Sequence, residues 1–157
     1  MVARGNKRLQ DSVGLLARLV LGVALIAAGG LKVSSLEGSA RAVRAFQILN
    51  YDLAGYVGYG LPIVEILIGI LLVTGLFTRA AAAVGGLLML AFIIGIASAW
   101  ARGLSIDCGC FGGGGTIDES QTQYGREILR DVGFVACAAW LMTRPRTAYS
   151  LDHLLFG

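Results

Sequence analysis

The chain has 157 residues, 56% of them hydrophobic and only 15% charged, with a net charge of +3 and a mean hydropathy of +0.74. A soluble domain keeps about a quarter of its residues charged to cover its surface, so this composition excludes one. A pI near 9.0 does not signal nucleic-acid binding here, because the Lys and Arg residues sit at the ends of apolar stretches, where they set membrane topology.

Taken in chain order, four apolar segments stand out, at residues 13–33, 56–77, 80–101 and 124–143. Each approaches the ~20 residues needed to cross ~30 Å of hydrocarbon. No water is available there for backbone groups, so helices are expected, and the predicted fold is all-α: a polytopic bundle of four transmembrane helices. Residues 1–12 read as a basic cytoplasmic N-terminus, 13–143 as the membrane domain and 144–157 as a cytoplasmic tail, with no internal repeat. The first segment looks like a signal peptide, but its apolar run is long, Arg18 interrupts it and three more spans follow, so it is expected to stay.

Orientation follows from the basic residues at the span ends. Arg4, Lys7, Arg8, Arg79, Arg144 and Arg146 fall on one side, while Arg41, Arg44, Arg102 and Arg126 are spread over the longer loops of the other. The positive-inside rule then puts both termini in the cytoplasm of a cell-membrane protein. Of the two external loops, the first (34–55) carries Leu36, Ala40, Val43, Phe46 and Leu49 at helical spacing, with Glu37, Arg41, Arg44 and Gln47 on another face. That pattern predicts a short amphipathic helix lying at the membrane surface.

Five ionisable residues fall where hydrocarbon makes charge costly. Glu65, three residues after Pro62, is the only charge in the second span, roughly 10 Å below the outer boundary by residue count. The stretch from Val132 to Thr143 is too short to cross alone, so the fourth helix must start earlier and draw Arg130 and Asp131 below the surface. Neighbours on a helix point about 100° apart, so each of these two is expected to find its partner on another helix. Lys32, after a Gly29–Gly30 pair expected to pack closely, reaches the same outer end. Lys32, Glu65, Arg130 and Asp131 are thus predicted to form one polar cluster, either a register-fixing network or a site for protons and charge. Arg18, about one and a half turns into the first span, either snorkels to the headgroups or faces inward.

Directly after the third span comes DCGCFGGGG (107–115). Cys137, within the fourth span, reads as a small buried apolar residue. Cys108 and Cys110 lie outside, where disulfides persist. A disulfide closing so small a ring is usually strained, and as a staple it constrains almost nothing, so exchange with a partner explains the pair better than stability does. The glycines at 109 and 112–115 are expected to leave room for that partner. Paired cysteines also suit zinc or copper, but the single histidine, His153, falls at the opposite end and no third soft ligand faces outward, so no metal site is expected. A mobile loop whose cysteines bond only each other is the plain alternative.

Arg18, AAGGLK (27–32), LPIVE (61–65), Gly75, Arg79, RGLSIDCGCFG (102–112) and REILRD (126–131) together resemble the methylamine-utilisation MauE proteins and the related DoxX-like membrane proteins, over about residues 13–143. The resemblance implies a four-helix, redox-associated membrane protein that helps mature disulfide-bearing exported proteins alongside a thioredoxin-like partner. It implies Cys108 and Cys110 as the redox pair, with Lys32, Glu65, Arg130 and Asp131 in support. No cofactor motif is evident; a membrane quinone is the acceptor such a relay would call for. The rival reading is a non-catalytic accessory subunit of a larger membrane assembly, such as a respiratory complex, with Gly29, Gly30, Gly85 and Gly86 serving helix packing.

Overall fold

The structure, a computed structural model, describes residues 2–144, 147 and 149–156, so Arg146 of the predicted inner charge set lies outside the described residues. Its helices are α1 (Val2–Val33), α2 (Leu36–Ala45), α3 (Tyr51–Thr74), α4 (Thr78–Ala101), α5 (Tyr124–Thr143) and the short α6 (Leu151–Phe156). Between α4 and α5 sits a two-residue ladder of β1 (Ile106–Asp107) and β2 (Gly115–Thr116), followed by a 3-10 turn at Glu119–Gln121. The chain is all-α apart from that ladder. Three helices among the described residues are long and apolar enough to cross a membrane: Gly5–Val33 of α1, α3 and α4. The first turns of α5 hold Arg126, Glu127, Arg130 and Asp131, which dilute its apolar character.

The helices pack through small residues, as they must where hydrocarbon surrounds them and burial of apolar surface gives no drive. A Cβ on Gly69 would lie 2.7 Å from the Gly22 carbonyl, and one on Gly29 would lie 2.6 Å from the carbonyl of Pro62, so α1 and α3 touch backbone to backbone. Gly86 abuts Ala138 of α5 and Gly85 abuts Leu25 of α1. Gly30, in contrast to the expectation, faces open space; one residue on from Gly29, it points about 100° away from the contact. The main core gathers Leu21, Leu25, Leu72, Ala82, Met89 and Leu141 from α1, α3, α4 and α5.

Pro62 shapes the outer end. It has no N–H, so the carbonyl four residues back, that of Gly58, loses its helical partner. Ser39 of α2 supplies the missing donor, its hydroxyl reaching the Gly58 oxygen at 2.6 Å. Gly58 has no side chain, which lets the Ala40 backbone settle directly on α3. The face that α2 buries is therefore Gly38, Ser39, Ala40 and Ala42, which shares only Ala40 with the predicted apolar stripe: Phe46 is half-buried, while Leu36 and Leu49 are 40% and 38% exposed. Close approach to α3 selects small side chains and turns the large ones outward.

At the other end Gly75 (φ +72°) terminates α3 in the left-handed conformation, with Leu76 N–H returning to the Leu71 carbonyl at 2.9 Å. The residues after α5 fold back onto this turn. Asp152 accepts from the N–H groups of Phe77 and Thr78 at 2.7 and 2.8 Å and caps the start of α4.

Candidate functional site

Lys32 in the last turn of α1 meets Glu65 of α3, with Nζ 2.6 Å from Oε1. The close contact at Gly29 is what brings the two within reach: a Cβ there would lie 3.1 Å from that of Glu65, and Lys32 stands one turn further along α1. Both are buried, Glu65 wholly, and Lys32 also lies 5.0 Å from the Phe92 ring of α4. From α5, Asp131 is 1% exposed and, with Arg130, close enough to act on Lys32 electrostatically. The four residues predicted as a cluster are thus drawn together by three helices.

One expectation about them is overturned. Arg130 and Asp131 do not seek separate partners: the Arg130 Nε and Nη2 atoms both lie 3.0 Å from Asp131 Oδ1. The long arginine side chain bends across the angle that separates neighbouring Cβ atoms, so that Nε donates to the adjacent carboxylate and Nη2 adds only a charge contact. Two acceptors are left over. Glu65 Oε2 and Asp131 Oδ2 are buried and have no hydrogen-bond partner among the described residues, a costly state for a carboxylate unless something else reaches it.

Above this cluster the 107–115 loop is closed, not open. Ile106 pairs with Thr116 and Asp107 with Gly115, and the Tyr124 hydroxyl accepts from Ile106 N–H at 2.9 Å while donating to the Leu104 carbonyl. Asp107 Oδ1 accepts from Gly109 N–H at 3.0 Å. Cys108 is paired with Cys110, their Cα atoms 5.4 Å apart, and Cys110 N–H donates to Cys108 Sγ at 3.2 Å.

The cysteines are only 7% and 4% exposed, against the expectation of sulfurs left accessible by glycine. They belong to a second small core with Ile96, Ala99, Ile106 and Tyr124. The glycines serve the opposite purpose: a Cβ on Gly109 would come 2.6 Å from the Ala42 Cβ, and one on Gly114 would collide with the same residue. Their bare backbone lets α2 lie down on the loop. Arg130 joins the two levels, its guanidinium 4.6 Å from the ring centre of Phe111, next to Cys110.

Sequence reasoning missed Glu127. A carboxylate oxygen of Glu127, one of Asp107 and Cys108 Sγ all lie within 4.8 Å of one another. Glu127 Oε2 has no hydrogen-bond partner among the described residues. A cavity of about 280 Å³ opens beside it, lined by Ile106, Asp107, Ile117, Gln121, Gln123 and Glu127. The signal was present: Glu127 precedes Asp131 by four residues, so both occupy one face of α5.

The family model described as methylamine utilisation protein MauE matches residues 10–144, which takes in every residue of this site. The chain belongs to the MauE family. No curated protein and no solved structure matches it. With three helices apolar enough to span, this family member is a multi-pass protein embedded in the lipid bilayer. Its remaining intramembrane cation, Arg18, does not reach for headgroups but turns inward, 2% exposed, donating to Thr147 Oγ1 at 2.7 Å and the Tyr149 carbonyl at 3.1 Å. Cys137 lies half-buried against the main core, with no cysteine near it to pair with among the described residues.

Proposed function

We propose that this MauE-family protein is a membrane thiol–disulfide relay with Cys108 and Cys110 as its redox pair, supporting disulfide formation in exported proteins. The observation that carries the reading is the paired sulfurs, separated by one residue and set over a buried charge cluster. A bond across one residue restrains little of the unfolded chain, so its worth lies in being made and broken. In turnover a partner's dithiol becomes a disulfide, and its two electrons and two protons convert the Cys108–Cys110 bond into two thiols. A membrane quinone is the acceptor class that closes the cycle, taking the same two electrons and two protons as it becomes a quinol. The partner expected is an extracytoplasmic thioredoxin-like protein or the client itself.

The reading includes four spans, with α5 as the fourth. Its charged face is turned inward, since Asp131 is almost wholly buried, and α5 packs along α4 and α1. Both termini are cytoplasmic and the cysteine loop lies outside, as the basic residues favour. The amphipathic reading of α2 is retained in altered form: its small face covers the loop, and exposed Leu36, Ile48 and Leu49 meet the membrane surface. Lys32, Glu65, Arg130 and Asp131 hold charge and protons beneath the pair.

The test is trapping in membranes of cells that express single Cys108→Ser and Cys110→Ser chains. A mixed disulfide between the remaining cysteine and an extracytoplasmic protein is expected. If none forms with either variant, and the double variant keeps full function while co-purifying in fixed stoichiometry with other membrane subunits, the chain is an accessory subunit and the loop a docking element.

A further inference from the structure

The two cysteines are not equivalent in their surroundings. Cys108 Sγ has the carboxylates of Glu127 and Asp107 within 4.8 Å. On the other side, Cys110 adjoins Phe111, and the Arg130 guanidinium lies over that ring. Thiol–disulfide exchange begins with a thiolate attacking one sulfur in line with the bond, and the other sulfur departs as a thiolate. An anion coming in at Cys108 meets the Asp107 carboxylate, whereas Cys110 Sγ is not part of that acidic group. The departing sulfur needs a proton, and Glu127 in its acid form is placed to carry one, since it lies within 4.8 Å of Cys108 Sγ and its Oε2 is committed to no hydrogen bond among the described residues.

We propose, resting on the relay reading, that the partner's sulfur bonds Cys110, that Cys108 is the leaving sulfur, and that Glu127 delivers the proton to it. In the first step the partner thiol gives up its proton and its sulfur bonds Cys110 Sγ. The Cys108–Cys110 bond breaks, and the electron pair stays on Cys108, which is thereby reduced and takes the proton from Glu127. Glu127 regains a proton from the one the incoming thiol released. In the second step the partner's other thiol attacks its own bonded sulfur, forming the partner's disulfide, and Cys110 leaves with that thiol's proton. One disulfide is lost, one is formed, and both protons end on the relay cysteines.

Asp107 has a positioning role beside its charge. Its Oδ1 holds the Gly109 N–H at 3.0 Å and so fixes the turn that presents the two sulfurs. The charged groups that face Glu127 are Asp107 from the loop and Arg130 and Asp131 from its own helix. Any pH dependence of the exchange reports on this set.

The full chain, purified in lipid nanodiscs with its cysteine pair oxidised, is treated briefly with 2-mercaptoethanol, acid-quenched and mapped by mass spectrometry. The adduct is expected on Cys110 in roughly tenfold excess over Cys108, the ratio set by about 1.4 kcal/mol of charge preference. In the Asp107→Asn/Glu127→Gln chain, where the asparagine oxygen still accepts from Gly109, the two adducts are expected to approach equality. Glu127→Gln alone is expected to slow exchange by on the order of 10²-fold and to flatten its pH profile, with Glu127→Asp restoring part of the rate. An adduct that favours Cys108, or a ratio unmoved by the double variant, overturns the assignment and leaves the relay standing. If neither cysteine forms an adduct although circular dichroism shows the chain folded, the relay reading itself fails.

Discussion

Both ends of the bundle bury charge, and they do so differently. At the end where the chain folds back after α5, Arg18 is held by a threonine hydroxyl and a backbone carbonyl, and Asp152 caps α4. What is left unpartnered there among the described residues is Arg18 Nε, the Thr78 hydroxyl and Trp140 Nε1, none of which exchanges a proton near neutral pH. At the cysteine end, besides Arg130 Nη2, the unpartnered atoms among the described residues are carboxylate oxygens of Glu65, Asp131 and Glu127, each able to take up or release one. One end ties chain segments together. The other keeps capacity in reserve directly beneath a pair of sulfurs.

That contrast can be broken by mutation. The largest effect is expected from Glu65→Ala, which strands the buried Lys32 cation: about 3–5 kcal/mol of stability lost, read by thermal unfolding in detergent. A Lys32→Met/Glu65→Leu double variant is expected to recover most of it while losing relay activity. Full activity in that variant would reduce the outer cluster to a fixing role like that of the inner one. Next comes Arg18→Ala, which removes two charge-assisted hydrogen bonds and is expected to cost about 2–4 kcal/mol without altering thiol exchange. The Cys108→Ala/Cys110→Ala chain is expected to lose only about 1.5 kcal/mol, since the loop it opens is so short, yet to lose all exchange. Smallest is Asp152→Ala, about 1 kcal/mol for a lost helix cap, with mixed-disulfide trapping unchanged.

Much of this was legible in the sequence because hydrocarbon leaves few options. A lone Glu65 in an apolar span and a Lys32 at the same depth had to find each other, and they do. The start of α5 at Tyr124 follows from the need for length beneath Arg130 and Asp131. The packing of α2 on the cysteine loop was not legible, since it depends on Ala42 meeting Gly109 and Gly114 from distant parts of the chain. Its anchor was hinted at: Pro62 frees the Gly58 carbonyl, and a nearby serine was needed to claim it. The spacing of four residues put Glu127 on the same face of α5 as Asp131, but its proximity to Cys108 depends on how the loop folds, which no local pattern encodes. The Arg130–Asp131 pairing was misjudged by treating side chains as vectors fixed at Cβ.

Ala42 of α2 lies against Gly109 and Gly114 in the cysteine loop, and the Ser39 to Gly58 bond with the small face of α2 ties that helix to α3.

The most direct test is differential alkylation of Cys108 and Cys110 in intact membranes, with the quinone pool held oxidised and then reduced. The relay requires the pair to be bonded in the first state and to accumulate as two thiols in the second. A pair that stays as thiols, or stays bonded, under both conditions would contradict it.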